Sequence, residues 1–191
     1  MSHWLRHATV VSALVLVGCK DSQPSQAEVK AKLEQKLAGA QPGEEREVEP
    51  GSFMTMYRSQ ATAPLRDGWQ LATSTKGGFS VELPLPFNDF RFRTELEDHV
   101  ELRTDTVGGK SPGQLAWTAV CATRSDGKAG PPSAAPLTNK TESLGVPIRA
   151  WQRTIVLDHR VCMLIVEAQG TDPLPGEADI QRFLKSFKQT L

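Results

Sequence analysis

The chain has 191 residues, with 22 basic and 22 acidic side chains and 39% hydrophobic residues, so its formal net charge is zero. A near-neutral chain lacks the basic footprint of a nucleic-acid binder, so nucleic acid is excluded as a partner. The length suits one domain plus a tether, with enough chain to bury a single core.

The first residues read Met1-Ser2-His3-Trp4-Leu5-Arg6-His7, followed by an apolar run from Ala8 to Gly18. Arg6 and the free amino terminus make a positive n-region. The run of about 11 residues is too short for a transmembrane helix, which needs roughly 20, but it fits the h-region of a secretory signal. It ends in Leu16-Val17-Gly18-Cys19, which resembles the bacterial lipobox: aliphatic, small or branched, small, then cysteine. The small residue opens the bond before cysteine to the signal peptidase, and the thiol carries the diacylglyceryl group. The resemblance implies a signal peptide over residues 1–18, lipid on Cys19 and a membrane as the first partner. Several acyl chains, as bacterial lipoproteins carry, give the stable anchoring that one chain cannot. Lys20 rather than aspartate follows Cys19, which by the enterobacterial sorting pattern favours the outer over the inner membrane of the envelope. Removal of residues 1–18 takes away one base, Arg6, and no acid, leaving 21 bases against 22 acids and a charge of −1.

Residues 19–52 read as a lipidated tether. Ala27 to Ala38 is predicted as a short helix, with Val29, Leu33 and Leu37 on one stripe, a Glu28–Lys32 pair, and Gly39 as a stop. The acidic, proline- and glycine-containing stretch Gln41–Gly51 reads as a solvated loop. A single folded domain is expected over 53–191.

Trp69–Thr75 is predicted as that domain's first strand, and Gly77-Gly78 as a turn. Phe79, Val81 and Leu83 then alternate with Ser80 and Glu82, placing one apolar face on a strand that Pro84 and Pro86 end. Phe90 and Phe92 alternate with Arg91 and Arg93. After Asp98-His99, Val100 and Leu102 alternate with Glu101 and Arg103. This predicts a hairpin with one wet face, whose exposed ion pairs contribute little.

Gly108–Gly113 reads as a loop. Gln114–Thr123 reads as a strand with Leu115, Trp117, Ala119 and Cys121 on one face, and Arg124–Pro136 as a long surface excursion. Val146–Leu157 is a strand whose broken alternation suggests a bulge. Asp158-His159 is a turn. Val161–Val166 is apolar on both parities, as in a central strand. After an Asp172–Gly176 loop, Glu177–Gln189 is predicted as a helix, with Ile180, Phe183, Leu184 and Phe187 on one face and Lys185 and Lys188 near its C-terminal end. The order is that of an α+β domain with a largely antiparallel sheet and a C-terminal helix packed on it.

With Cys19 carrying lipid, Cys121 and Cys162 are an even pair in an oxidising compartment, which favours a disulfide over two separate buried thiols. It would hold the 124–136 excursion between fixed ends.

Gly77-Gly78-Phe79-Ser80-Val81-Glu82-Leu83-Pro84 resembles the opening strand of PsbP/Mog1-like domains. Arg160-Val161-Cys162-Met163-Leu164-Ile165-Val166, followed by Phe183-Leu184-Lys185-Ser186-Phe187, resembles their close. The resemblance spans residues 69–191 and implies an α/β/α sandwich around an antiparallel sheet. It also implies non-enzymatic work of binding, assembly or scaffolding, with no catalytic residue carried over. The usual helix between the early and late strands has no counterpart in Arg124–Leu144, which holds several prolines.

Of the histidines, only His99 and His159 follow Cys19, and both fall at turns. Neighbours on a turn seldom face each other, so Asp158-His159 reads as solvated rather than as an acid/base pair. His159 and Cys162 lack a second pair of metal ligands. Val107-Gly108-Gly109-Lys110-Ser111 resembles a P-loop but has Thr104 where the first glycine belongs, which excludes it. No Gly-x-Ser-x-Gly elbow is present, and the Asn139-Lys140-Thr141 sequon means little behind a lipobox. Trp69, Trp117 and Trp151 sit at strand positions, as core residues or as the lining of a ligand site. The expectation is a membrane-anchored, non-enzymatic binding or scaffolding domain with an envelope protein partner and no cofactor or metal. The alternative is a carrier of an apolar small molecule or lipid.

Overall fold

A computed structural model describes residues 26–96, 99–111, 115–128, 141–143, 146–169 and 175–190. Residues 1–25, with the h-region and Cys19, lie outside the described residues. So do Asp98, most of the 124–136 excursion, the sequon asparagine and Asp172.

Among the described residues, twelve strands form two antiparallel sheets. The larger has eight strands: β1 (Glu45–Glu49), β2 (Ser52–Ala61), β6 (Phe87–Glu95), β7 (Glu101–Lys110), β8 (Ala116–Arg124), β11 (Arg160–Gln169), β10 (Val146–Leu157) and β9 (Thr141–Ser143), in that spatial order. The smaller runs β12 (Lys188–Gln189), β5 (Phe79–Leu83), β4 (Trp69–Thr73) and β3 (Leu65–Arg66). Helices α1 (Gln26–Leu37) and α2 (Glu177–Lys185) complete an α+β architecture.

The alternation read in β5, β8 and α2 decides which faces meet. Phe79, Val81 and Leu83 of β5, Trp117, Ala119 and Cys121 of β8, Leu164 and Val166 of β11, and Ile180, Phe183 and Leu184 of α2 form one buried cluster. The small sheet and α2 therefore cover one face of the large sheet. On the opposite face α1 lays Leu33 and Leu37 against Val48, Met54 and Phe90. The central strand β11 is buried on both parities over most of its length.

Five expectations are corrected. The acidic loop contains β1, because its single apolar residue, Val48, is buried while its glutamates stay in water. The tether expected to reach residue 52 therefore gives way to folded structure from α1 onward.

Gly108 and Gly109 lie inside β7 rather than in a loop. A Cβ at Gly108 would stand 2.6 Å from the Trp117 carbonyl oxygen, and one at Gly109 would run into the carbonyl of Pro86. These glycines permit close backbone approach within a strand.

β10 holds its register with β11 unbroken from Ile148 to Leu157, so there is no bulge there. The alternation looked broken because Arg149 and Arg153 share the inner face with Trp151, Ile155 and Leu157. Arg153 reaches the Leu184 carbonyl at the end of α2, at 2.7 Å. The bulges fall in β2 instead, between Met56 and Arg58 and between Arg58 and Ala61.

α2 stops at Lys185. The Ser186 hydroxyl donates to the Phe183 carbonyl at 2.7 Å and accepts from the Glu82 N–H at 2.9 Å, which turns the chain out of the helix. Lys188 therefore belongs to β12, paired with Ser80 of β5, and Phe187 stacks on Phe79 with centroids 5.8 Å apart. Lastly, β4 is preceded by three strands and is not the first.

Candidate functional site

Among the described residues, a dense polar assembly lies where the β4–β5 turn, Ser74–Gly78, meets the inner face of the large sheet. Its centre is Asp89 on β6, with no exposed surface. Asp89 stands at a core-facing position because it shares the parity of buried Phe87. Its carboxylate accepts from the Thr75 N–H at 2.8 Å, from the Thr75 hydroxyl, and from the Ser74 hydroxyl at 3.3 Å. Arg58 donates to it through Nε at 3.3 Å and Nη2 at 3.2 Å. The β2 bulges bring Arg58 opposite Asp89 in register. Gln60, with φ of 49°, closes the bulged stretch by donating its N–H to Asn88 Oδ1 at 2.9 Å. Bulged strands re-aim side chains in this way.

Three arginines from three strands hold this turn and the end of β4 before it by their carbonyls. Arg58 donates to Thr73 O. Arg91 of β6 donates to Lys76 O at 3.4 Å while gripping Asp105 of β7 with two bonds of 2.8 and 2.9 Å. Arg160 of β11 donates to Gly77 O at 2.5 Å and Gly78 O at 3.4 Å. The turn needs both glycines. A Cβ on Gly77 would stand 2.6 Å from the Phe79 ring and 2.7 Å from Asp105 Cβ, and Gly78 adopts φ of 60°. The Gly-Gly opening noted in the sequence is thus the only backbone that seats under this clamp.

The paired carboxylates govern the local charge. The Asp105 hydrogen bond holds the Arg91 guanidinium above its ordinary value, and burial raises the nearby Tyr57 hydroxyl against the opposing charge of Arg91. At the rim, hydrogen bonding to Arg93 holds the Glu45 carboxyl below its ordinary value. Both Asp89 oxygens face donors from this protein. What the arrangement does is lock one sheet onto the other.

Cys121 and Cys162 are bonded to each other, with Cα atoms 4.0 Å apart. They are direct cross-strand partners of β8 and β11, and Asp105 lies opposite Cys121 on the other side. The disulfide therefore runs in the row that carries Arg91 and Asp105, beneath the clamped turn. Both cysteines are buried within the main core.

The other candidates are not brought together. His99 and His159 are exposed on separate turns at the same end of the large sheet, beyond β6–β7 and β10–β11. Trp69 meets Trp117 edge-on with centroids 5.7 Å apart, and Trp117 meets Phe183 likewise at 5.4 Å. Arg182 covers Trp69 at 4.8 Å. Both tryptophans are packed as core, and Trp151 flanks the same cluster.

Asp89, Arg58 and Arg160 did not stand out in the sequence. The available signal was an aspartate between Phe87 and Phe90 in a strand, since a charge in an apolar run is either exposed or paired.

On the face opposite the clamp, Glu167 of β11 sits between Ala116 and Ala150, and burial raises its carboxyl above the ordinary 4.5, with Lys110 opposing. A raised folded-state value means its contribution to stability is fully present below pH 4.5 and is lost as pH rises through the folded value. Glu167→Gln should therefore gain stability relative to the parent as pH climbs from about 4 to about 7. Thermal melts of both proteins across that range check this, and parallel profiles would refute it.

No protein-family model matches this chain, and comparisons with curated proteins and with solved structures return no match.

Proposed function

We propose that the chain is a bacterial envelope lipoprotein, anchored through lipid on Cys19 to the outer membrane, whose folded part is a non-enzymatic binding or scaffolding domain of PsbP/Mog1-like kind. The observation that carries the binding reading is Asp89. The most buried carboxylate among the described residues is engaged, with its arginine and two hydroxyl partners, in joining two sheets rather than in facing a cleft. The family reading is supported by the Gly77-Gly78 turn feeding β5 and by a C-terminal helix packed beside the last long strand. At about 3.5 Å per extended residue, the chain from Cys19 to the start of α1 reaches at most about 25 Å, so the domain works close to the membrane.

Two measurements test this. Cys19→Ser should abolish acylation and either release the protein from the membrane fraction or leave it unprocessed. An acylated, processed Cys19→Ser protein would sink the anchor. Crosslinking in intact envelopes followed by affinity capture should recover a protein partner, and capture of lipid alone would overturn the binding reading.

A further inference from the structure

We propose that the clamped β4–β5 turn is a gate over the Cys121–Cys162 bond. Thiol–disulfide exchange reaches the pair only when Lys76–Gly78 lift from the large sheet, so the bond is made before the small sheet docks and is shielded from reductants afterwards. This goes beyond the binding-domain reading and stands without it. Exchange proceeds by attack of a thiolate on a sulfur, so it requires access to that sulfur. In the folded chain Cys121 is 1% exposed and Cys162 0%.

Register places the turn above the bond. One row across the inner face of the large sheet runs Arg91, Asp105, Cys121, Cys162 and Ile155, on β6, β7, β8, β11 and β10. The turn is pinned on both sides of the two cysteines. Arg91 on β6 donates to the Lys76 carbonyl on one side. On the other, Arg160 of β11, on the same face as Cys162 and two residues before it, donates to the Gly77 and Gly78 carbonyls. Between these pins the chain runs close to β7: a Cβ on Gly77 would stand 2.7 Å from Asp105 Cβ, and Asp105 is the cross-strand neighbour of Cys121.

The other approaches to the sulfurs are closed. Behind them stands the large sheet itself, where β8 and β11 pair without a break from Arg160 to Glu167. Deeper along the strands, Val107, Ala119 and Leu164 are buried to 1% or less. Phe79, at the foot of the turn, belongs to the same core cluster as both cysteines and stacks on Phe187. Thr123 and Arg160, the next pair on this face, keep partial exposure. Water therefore comes nearest from that side, and there Arg160 holds the turn down. The turn is held mainly by polar pins, and Thr75 and Lys76 are exposed. A segment of that kind opens locally while a continuous strand ladder stays shut.

The test is reduction of the full folded chain by dithiothreitol, at concentrations where the rate stays proportional to reagent, with peptide mass spectrometry counting alkylated Cys121 and Cys162. A reagent thiolate attacks one protein sulfur to form a mixed disulfide, and the other sulfur leaves as a thiolate and takes up a proton. The reagent's second thiol then closes its own ring and frees the first cysteine, so the protein pair gains two electrons and two protons and the reagent is oxidised. The folded chain should be reduced about a hundredfold or more slowly than the same chain in denaturant. That slowing should match, within about threefold, the hydrogen-exchange protection of the Gly77 N–H, which donates to Ser74 Oγ at 3.0 Å inside the turn. Arg160→Ala should speed reduction about tenfold or more. Leu33→Ala weakens the separate cluster under α1 and should leave the rate within about twofold of the parent. Reduction as fast as in denaturant, slowing that equals the protection of the β8–β11 ladder, no effect of Arg160→Ala, or equal acceleration by both variants would each overturn the gate. If Arg160→Ala does not fold, the comparison with Gly77 in the parent chain decides alone.

Discussion

Asp89→Ala should cost about 3 kcal/mol of folding stability, a large share of the roughly 5–15 kcal/mol typical of a domain. The reasoning starts from burial. Asp89 has no exposed surface, and its removal strands the Thr75 N–H and the hydroxyls of Ser74 and Thr75. Leaving the buried Ser74 hydroxyl without a partner costs about 1–3 kcal/mol, and the lost bonds from Thr75, which is exposed and can turn to water, add less. Arg58 adds less than a fully buried partner would, because its side chain is 40% exposed and can turn to water. Asp89→Asn keeps the volume but puts an NH2 group where donors converge, so it should lose about 2 kcal/mol. Chemical denaturation of parent and variants measures both. A loss below about 1 kcal/mol for Asp89→Ala would show that the clamp is ornamental to stability. The damage should also be local: amides of the β4–β5 turn should exchange faster well before the β8–β11 ladder does.

The Cys121→Ser/Cys162→Ser double variant should lose about 4 kcal/mol, the chain-entropy value for a loop of this length. The two cysteines are 41 residues apart, and the connection between them includes the excursion after β8. The bond stabilises by restricting the unfolded chain, since β8 and β11 are already hydrogen-bonded neighbours over eight registered pairs. For a domain of this size the loss corresponds to a fall of about 10 °C in Tm. Alkylation of native, non-reduced protein followed by mass spectrometry should find both thiols blocked. Free, alkylatable thiols in the folded protein would contradict the bond. An unchanged Tm in the double variant would show that it adds nothing to stability.

The parts of this protein that could be read in order along the chain are those whose physics is local. Period-two alternation places Phe79, Val81 and Leu83 on one face of β5, and Trp117, Ala119 and Cys121 on one face of β8. Apolar residues on both parities mark β11 as central, and Ile180, Phe183 and Leu184 at helical spacing mark the packed side of α2. Each of those patterns requires only that neighbours in sequence share one environment, which the backbone period enforces. The pairing of Cys121 with Cys162 was also legible, because they are an even pair on strand-like segments once Cys19 is set aside.

Tertiary contact decided the rest. β1 exists because β2 offers it a ladder and α1 a hydrophobic lid for Val48; its own five residues are mostly charged. Gly108 and Gly109 look like loop residues until Trp117 and Pro86 come close enough to forbid a Cβ. The helix that should have run to Gln189 ends at Lys185 because β5 captures Lys188 and Gln189 and Ser186 turns toward Glu82, partners about a hundred residues away. Asp89 is the sharpest case. A charge beside Phe87 and Phe90 has no local reason to be buried. Only when Arg58 arrives from β2 and Ser74 and Thr75 from the β4–β5 turn does burial become tolerable, because a polar group leaves water at acceptable cost only where its hydrogen bonds are met.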